Sequence, residues 1–235
     1  MDAPDLSAIV LCYRAGDSIL AVVAPLYEQL REAQLRFELI LVANHDRDRE
    51  DQTPRTAELF AESHENVRVL THPKQGAMGW DMRSGLDAAA GRYMIVIDGD
   101  AQNPIEDVLR MYWEMRRTGA AVMKGRRTSR FDGTYRRIVS WFYNALFLLL
   151  FRTRGLWDIN GKPKGLTRAA FERIELSSDD WFIDAEIVLD ARRAGLTVVE
   201  MPVVFNRNEE RASLVHASAI VEFIRNMIRT RLRMR

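Results

Sequence analysis

Short apolar runs alternate with longer amphipathic segments along most of the chain. The runs are rich in β-branched residues and too short for typical helices, so they predict buried strands. We expect strands at residues 7–13, 37–43, 67–70, 93–97, 120–124 and 196–205, with Pro202 marking the last one as an edge strand. Helical spacing of apolar residues between these runs predicts an α/β fold, with a mostly parallel central sheet flanked by helices.

Two aspartates follow the fourth apolar run, with one glycine between them. Asp98 and Asp100 would then lie at the carboxyl edge of the sheet, where open α/β folds bind ligands, and Gly99 lets the backbone turn tightly. Two neighbouring carboxylates favour a hard divalent cation, Mg²⁺ or Mn²⁺, to which Gln102 could add a neutral oxygen. An ordinary surface turn is the alternative, but the position after a buried strand favours the metal site.

Three further segments carry candidate chemistry. The segment 72–85 contains three glycines and leads into a helix, so it could bring backbone N–H groups to an anion or be a structural turn. The segment 125–137 is rich in arginine and precedes an apolar helix at 138–151, which indicates phosphate recognition beside an apolar surface, or else a buried helix with solvated ends. The segment 157–167 resembles a loop, and its polar residues are candidates for the rim of the site: Asp158, Asn160, Lys162 and Lys164.

Composition and charge limit the classes of protein. The formal net charge of +1 on 235 residues gives no case for nucleic-acid binding, and a single cysteine, Cys12, excludes an intrachain disulfide. The acidic start predicts no signal peptide, and the longest apolar run, 141–151, is too short to span a bilayer. We therefore expect a cytoplasmic protein of one main domain, residues 1–214, and the sequence leaves homo-oligomer formation open.

The remaining residues, 215–235, predict a basic amphipathic helix. Its expected apolar stripe consists of Ile220, Ile224, Ile228 and Leu232, beside a stripe of Arg225, Arg229 and Arg233. Such a helix either lies on an anionic membrane surface, here the inner face of the cell membrane, or docks its apolar stripe on the domain.

The order of the segments resembles that of the family 2 glycosyltransferases of the GT-A fold. The resemblance is greatest to the dolichol-phosphate mannose synthase and polyprenyl-phosphate glycosyltransferase branch, over roughly residues 6 to 214. The segment 98–104, Asp-Gly-Asp-Ala-Gln-Asn-Pro, is similar to the family's DADLQHP. Other similar positions are Gly76, Gly79, Arg83, Gly85, Arg126, Arg136, Arg137, Ser140, Asn144, residues 182–186, residues 200–203, Arg207 and Ser213.

The chain departs from the family pattern in three places. Of the family's P-x-Y-N-E after the first strand it keeps only Tyr13, and residues 42–46 replace V-D-D-G-S. Asn44 could still bind a base, and Asp17 could replace the missing glutamate. The family's S-G-F segment appears as Gly-Lys-Pro-Lys at 161–164.

The resemblance implies an inverting, metal-dependent transfer of a sugar from a nucleotide diphosphate-sugar to a polyprenyl phosphate at the membrane surface. It implies a metal held by Asp98, Asp100 and Gln102, and catalytic roles for Asp100 and Arg126. The implied donor-binding residues are Tyr13, Asp17, Asn44, Gly76, Arg83, Asp98, Gly99 and Asp100. The implied acceptor-phosphate residues are Arg126, Arg136, Arg137 and Ser140, to which the chain's own Lys162 and Lys164 could add positive charge.

The sequence leaves other functions open. If the acceptor is a sugar hydroxyl, Asp184 becomes the candidate base, although helix starts favour carboxylates in any case. A nucleotidyltransferase would use similar metal and arginine chemistry, and a non-catalytic nucleotide-sugar or lipid-phosphate binding module would need only the binding residues.

Overall fold

A mixed sheet of seven strands forms the centre of the protein in a computed structural model that describes residues 3–130, 134–153, 155–206 and 217–233. The strands are β1 (Leu6–Leu11), β2 (Phe37–Val42), β3 (Val67–Leu70), β4 (Tyr93–Asp98), β5 (Val122–Arg130), β6 (Lys164–Thr167) and β7 (Val198–Phe205). The helices are α1 (Leu20–Glu32), α2 (Thr53–Glu62), α3 (Met78–Ala88), α4 (Glu106–Thr118), α5 (Thr134–Phe151), α6 (Arg168–Phe171), α7 (Ile183–Arg193) and α8 (Ala217–Arg233), and a 3₁₀ helix covers Gly16–Ile19.

The strand order is β3-β2-β1-β4-β6-β5-β7, and all neighbouring strands are parallel except those that pair with β6. The expected α/β class and mostly parallel sheet are confirmed, and β7, which contains Pro202, is an edge strand as predicted. In the parallel pair of β1 and β4, Leu11 lies opposite Asp98. The ends of these two strands are therefore level, and Asp98 lies at the carboxyl edge of the sheet.

Strand β6 corrects one expectation, because the sequence predicted a loop over residues 157–167. Lys164 pairs with Val96 of β4 on one side and with Lys124 of β5 on the other. Four residues are too few to show an alternating pattern, and a lysine in the middle of a sheet is unusual. Strand β5 is also longer than expected, because its arginine-rich second half pairs with β7, with Arg126 opposite Pro202.

Apolar side chains on both faces of the sheet hold the helices. Helices α1 and α4 cover one face, and the expected core side chains Val108, Met111, Tyr112 and Met115 of α4 are buried there. Helices α3 and α7 cover the other face. A third cluster, which includes Phe147 of α5, joins α5, α7 and α8.

Helix α8 docks through a stripe that differs from the expected one. Phe223 and Met227 are buried in the third cluster, and the rings of Phe223 and Tyr143 lie 4.9 Å apart. By contrast, Ile224 and Ile228 are 40% and 50% exposed. The helix has two adjacent apolar stripes, so hydropathy alone did not determine which of them meets the domain.

Candidate active site at the carboxyl edge of the sheet

Asp98 and Asp100 lie where β1 and β4 end. The N–H of Gly99 donates to the carbonyl oxygen of Leu11 at 2.9 Å, and a Cβ atom added at Gly99 would lie only 3.0 Å from that oxygen. The next turn is held by a hydrogen bond of 3.1 Å from the Gln102 N–H to Asp100 Oδ1 and by Ala101 in the left-handed region, with φ 59°. A left-handed alanine costs about 1 kcal/mol. The backbone therefore accepts strain at the point where the two carboxylates emerge.

Lys162 reaches this edge from the segment between α5 and β6. Its ammonium lies 2.8 Å from Asp98 Oδ1, and its side chain is 4% exposed whereas that of Asp98 is 31% exposed. Burial disfavours the charged amine, but the carboxylates of Asp98, Asp184 and Asp100 outweigh it and raise the pKa of Lys162. Lys162 is thus a protonated cation among three carboxylates.

Lys164 and Asp184 form a fully enclosed ion pair below this edge. Lys164 Nζ lies 2.5 Å from Asp184 Oδ1 and also donates to the carbonyl oxygens of Ile159 and Asp184 at 3.1 and 3.2 Å. Burial lowers the pKa of Lys164 to about 8, against the opposing effect of Asp184. The proposed roles of Lys164 toward an acceptor phosphate and of Asp184 as a base stay predictions.

Glu200 of β7 is the second carboxylate that binds a fully buried lysine. Its Oε1 accepts from Lys124 Nζ at 2.5 Å and from the N–H groups of Trp157 and Asp158 at 2.7 and 3.1 Å. Arg126 Nε approaches Oε2 only to 4.0 Å, and the Arg126 side chain is 49% exposed. Arg126 therefore presents a solvent-accessible guanidinium beside the site, as a phosphate-binding role requires.

Arg127 and Asp158 form a bidentate pair that fastens β5 to the segment before β6. The two side chains bond at 2.7 and 2.6 Å, and the Arg127 N–H adds a bond of 2.9 Å to Asp158 Oδ2. Burial opposes ionisation of Asp158, but Arg127 and Lys124 outweigh it and lower the pKa of Asp158 to about 2.

The low pKa of Asp158 predicts a component of acid sensitivity. A carboxyl group whose pKa is lower in the folded chain stabilises the fold above its unfolded pKa, and this stabilisation is lost as the pH falls toward the folded value. We expect the ionised pair to contribute about 2 kcal/mol that disappears between about pH 4 and pH 2. In urea unfolding followed by circular dichroism, Asp158→Asn should lack this component, whereas Asp87→Asn, at an exposed position of α3, should keep the wild-type pH dependence. Equal pH slopes for wild type and Asp158→Asn would contradict the assignment.

Tyr13 lies at a small cluster beyond the ends of β1 and β2. The Lys74 ammonium lies 3.9 Å from the centre of the Tyr13 ring and is ion-paired with Asp81, and the Tyr13 hydroxyl donates to Asp46 Oδ2 at 2.7 Å. Asn44 is buried, donates to Asp81 Oδ1 at 3.0 Å and accepts from the His72 N–H at 2.9 Å.

Sequence reasoning missed the Lys74–Asp81 pair, although the rarity of lysine in this chain was a usable signal. Base recognition by Tyr13 and Asn44 stays a prediction.

The glycine-containing segment packs against residues 177–180. A Cβ atom at Gly76 would lie 2.8 Å from Asp179 Cβ, and one at Gly79 would lie 2.4 Å from the carbonyl oxygen of Asp180. Arg83 donates to Asp179 Oδ1 at 2.5 Å. The close approach that these glycines permit is therefore to the protein's own chain, and contacts of Gly76 and Arg83 with a nucleotide stay predictions.

The other candidate residues bond to the protein's own chain or lie outside the described residues. Asp17 accepts from the Thr56 hydroxyl at 2.5 Å, and Gln102 donates through its amide nitrogen to the Asn206 carbonyl at 3.0 Å. The carbonyl oxygen of Ser140 accepts from Asn144 Nδ2 at 2.8 Å. The side chains of Arg136 and Arg137, and all of Arg207 and Ser213, lie outside the described residues.

The two carboxylates at this edge suit a divalent ion whose coordination a diphosphate would complete. In the described ranges no group of three or more histidine, cysteine, aspartate or glutamate side chains could hold a metal ion by itself. Mg²⁺ usually takes only one or two carboxylates from the protein and fills its other positions with water and substrate phosphates. Asp98 is partly exposed and Asp100 is half-buried, so both can supply such carboxylates.

All four lysines of the chain lie at this edge of the sheet or just below it, and each is paired with a carboxylate. Their side chains are at most 8% exposed. The pairs are Lys74–Asp81, Lys124–Glu200, Lys162–Asp98 and Lys164–Asp184.

None of the helices in the described part of the chain combines the length and the hydropathy needed to span a bilayer.

Known proteins resemble this chain in sequence and in fold. Glycosyltransferase AglD of Haloferax volcanii is 28% identical over 162 residues, 66% of this chain and 26% of that protein. Dodecaprenyl-phosphate galacturonate synthase of Rhizobium johnstonii is 32% identical over 149 residues, 60% of this chain and 42% of that protein. The chain thus spans less than half the length of these two relatives.

A solved structure supports the GT-A assignment of the fold. Glucosyl-3-phosphoglycerate synthase from Mycobacterium tuberculosis, crystallised with Mn²⁺, UDP and phosphoglyceric acid, superposes with a TM-score of 0.69. The superposition covers 97% of this chain and 78% of that chain at 14% identity, so it bears on the fold alone. The sequence profile of Glycosyl transferase family 2 matches residues 7–175, which is most of the chain. This chain therefore belongs to glycosyl transferase family 2.

Proposed function

We propose that this protein transfers a sugar, with inversion, from a nucleotide diphosphate-sugar to a polyprenyl phosphate at a membrane surface. The observation that carries the proposal is the pair of accessible carboxylates, Asp98 and Asp100, at the carboxyl end of β4 in a family 2 chain. A relative whose name specifies a dodecaprenyl phosphate supports a polyprenyl phosphate as the acceptor.

The chemistry exchanges one bond for another at the anomeric carbon of the sugar. The bond from this carbon to the β-phosphate oxygen of the donor breaks, and a bond to an oxygen of the acceptor phosphate forms on the opposite face. The nucleoside diphosphate leaves with the electron pair of the broken bond. Asp98 and Asp100 would hold a Mg²⁺ or Mn²⁺ ion, which would supply positive charge at the leaving diphosphate.

The residues of the chain then supply positive charge and orientation. Arg126 presents a half-exposed guanidinium that suits bidentate binding of the acceptor phosphate. Lys124 and Glu200 fix the backbone from which Arg126 projects, because Glu200 binds both Lys124 and the N–H groups of Trp157 and Asp158. A phosphate acceptor is already ionised at neutral pH, so the buried Asp184 is not needed as a base in this reaction.

Product analysis tests the proposal. The protein is incubated with Mn²⁺, radiolabelled UDP- or GDP-sugars and one of three acceptors: a polyprenyl phosphate, 3-phosphoglycerate or a simple glycoside. Label in the lipid fraction together with released nucleoside diphosphate is the expected result. Label only in phosphoglycerate or glycoside would refute the lipid acceptor, and release of pyrophosphate would identify a nucleotidyltransferase instead.

Exposed apolar side chains on α5 and α8 support action at a membrane. On α8, Ile224, Ile228 and Leu232 are 40%, 50% and 62% exposed, and Arg225 and Arg229 line the same shallow groove as the isoleucines. On α5, Trp141 and Phe142 are each 63% exposed and Leu149 is 77% exposed. Apolar side chains flanked by arginines are typical of helices that bind anionic lipid surfaces.

We expect the protein to float with vesicles that contain phosphatidylglycerol and less with vesicles of phosphatidylcholine alone. Ile224→Ser with Ile228→Ser should reduce flotation because less apolar surface enters the bilayer, and Arg225→Glu with Arg229→Glu should reduce it by removing the attraction to anionic lipid. Leu59→Ser and Arg55→Glu are matched controls at exposed positions of α2 and should leave flotation unchanged. Equal flotation of all variants would contradict a role for α8.

A further inference from the structure

Lys162 is a positive charge that already occupies the candidate metal site. Its ammonium lies 2.8 Å from Asp98 Oδ1 and 2.9 Å from Met78 Sδ. At the other end of the residue, its backbone carbonyl accepts a hydrogen bond of 2.8 Å from Asn103 Nδ2. The amine is therefore anchored against Asp98 by the fold and does not extend into solvent.

A divalent ion that binds Asp98 must share this carboxylate with the ammonium. Two cations at one carboxylate repel each other, and the repulsion is stronger at a partly buried site than in water. The diphosphate of a donor brings several negative charges, which compensate the ion and the ammonium together. Lysine suits this task because its ammonium is a compact point charge.

We propose that Lys162 is a tethered counter-cation that weakens ion binding to the ligand-free protein and makes ion and donor diphosphate bind cooperatively. This inference rests on the proposed function, because it concerns the same diphosphate site. The coupling is reciprocal, so the ion strengthens nucleotide binding by the factor by which the nucleotide strengthens ion binding.

The test measures Mn²⁺ affinity directly, from the electron paramagnetic resonance signal of the unbound ion, with the full chain. Lys162→Met removes the charge but keeps a similar shape, and it should bind Mn²⁺ without nucleotide about tenfold more tightly than wild type. The strengthening of Mn²⁺ binding by UDP or GDP should shrink by the same factor. Lys162→Arg keeps the charge on a larger head group, and its Mn²⁺ affinity should stay closer to that of wild type than the affinity of Lys162→Met does.

A double substitution shows whether the effect acts through Asp98. Asp98→Asn combined with Lys162→Met should lose the tighter binding, because the carboxylate that the lysine neutralises is gone. We expect Lys162→Met to fold, since the Asp98 side chain is 31% exposed and water can solvate it, and its thermal unfolding midpoint checks this. If it does not fold, Lys162→Gln replaces it as the uncharged variant.

Two negative results have different meanings. A folded, uncharged Lys162 variant that binds Mn²⁺ no more tightly than wild type would overturn this inference alone. If the wild-type protein fails to bind Mn²⁺ even in the presence of UDP or GDP, the proposed function is overturned, and this inference with it.

Discussion

Asp100→Asn should lower the rate of sugar transfer by about a thousandfold, a loss typical of removing a main electrostatic contact of the transition state. The amide has nearly the same shape as the carboxylate, and its oxygen can still accept the bond from the Gln102 N–H that holds the turn. The substitution removes the negative charge that, in the proposed mechanism, would hold Mg²⁺ or Mn²⁺ beside the leaving diphosphate. The measurement is the transfer of labelled sugar at saturating donor and metal.

The matched control for Asp100→Asn is Asp87→Asn, which makes the same chemical change at an exposed position of α3 and should keep full activity. Mn²⁺ binding in the presence of UDP or GDP should weaken in Asp100→Asn and remain unchanged in Asp87→Asn. Transfer by Asp100→Asn at nearly the wild-type rate would remove this carboxylate from the mechanism.

Lys124→Met should lower the free energy of unfolding by about 3 kcal/mol, as expected when one partner of a buried ion pair is removed. Lys124 is fully buried and bonds both Glu200 and the carbonyl oxygen of Asp158 at 2.5 Å. Without the ammonium, the Glu200 carboxylate stays buried with only its two backbone donors and the distant Arg126. Urea unfolding at neutral pH measures the loss.

Two further measurements distinguish the loss of the Lys124–Glu200 ion pair from a general effect of substitution. Lys124→Met together with Glu200→Gln should cost less than the sum of the two single changes, because no unpaired charge is then left in the interior. Arg31→Met breaks the exposed pair with Glu28 and should change stability little. A loss for Lys124→Met no larger than that for Arg31→Met would contradict the assignment.

The sequence predicted those parts of the fold and site that depend on local pattern. Residues 93–97 are apolar, and turn-forming residues follow them directly, so both the strand and its carboxyl end could be recognised. The alternation of such runs with helical segments was sufficient for the α/β class. The candidate pair Asp98 and Asp100 could therefore be identified without knowing which strands lie beside β4.

The parts that the sequence did not predict depend on contacts between distant segments. Lys162 was expected at the rim of the site, yet its partner Asp98 is 64 residues away, and Lys124 and Glu200 are 76 residues apart. Lys162 reaches Asp98 because β6, which follows it closely, inserts between β4 and β5, and the four residues of β6 carry no strand pattern. Lys124 meets Glu200 because the two residues lie opposite each other where β5 pairs with β7. Likewise, the choice of Phe223 over Ile224 as a docking residue of α8 was decided by the surface of α5 and α7.

Because the side chains of all four lysines are buried, the rate at which their amines are acylated reports whether the carboxyl edge of the sheet is folded. Acylating reagents attack uncharged, accessible amines, and arginine is inert to them, so these side chains should be modified slowly in the native protein. Peptide mass mapping would then separate two events. Early labelling of Lys162 alone would report local opening around Asp98, and simultaneous labelling of Lys124 and Lys164 would report separation of the strands themselves.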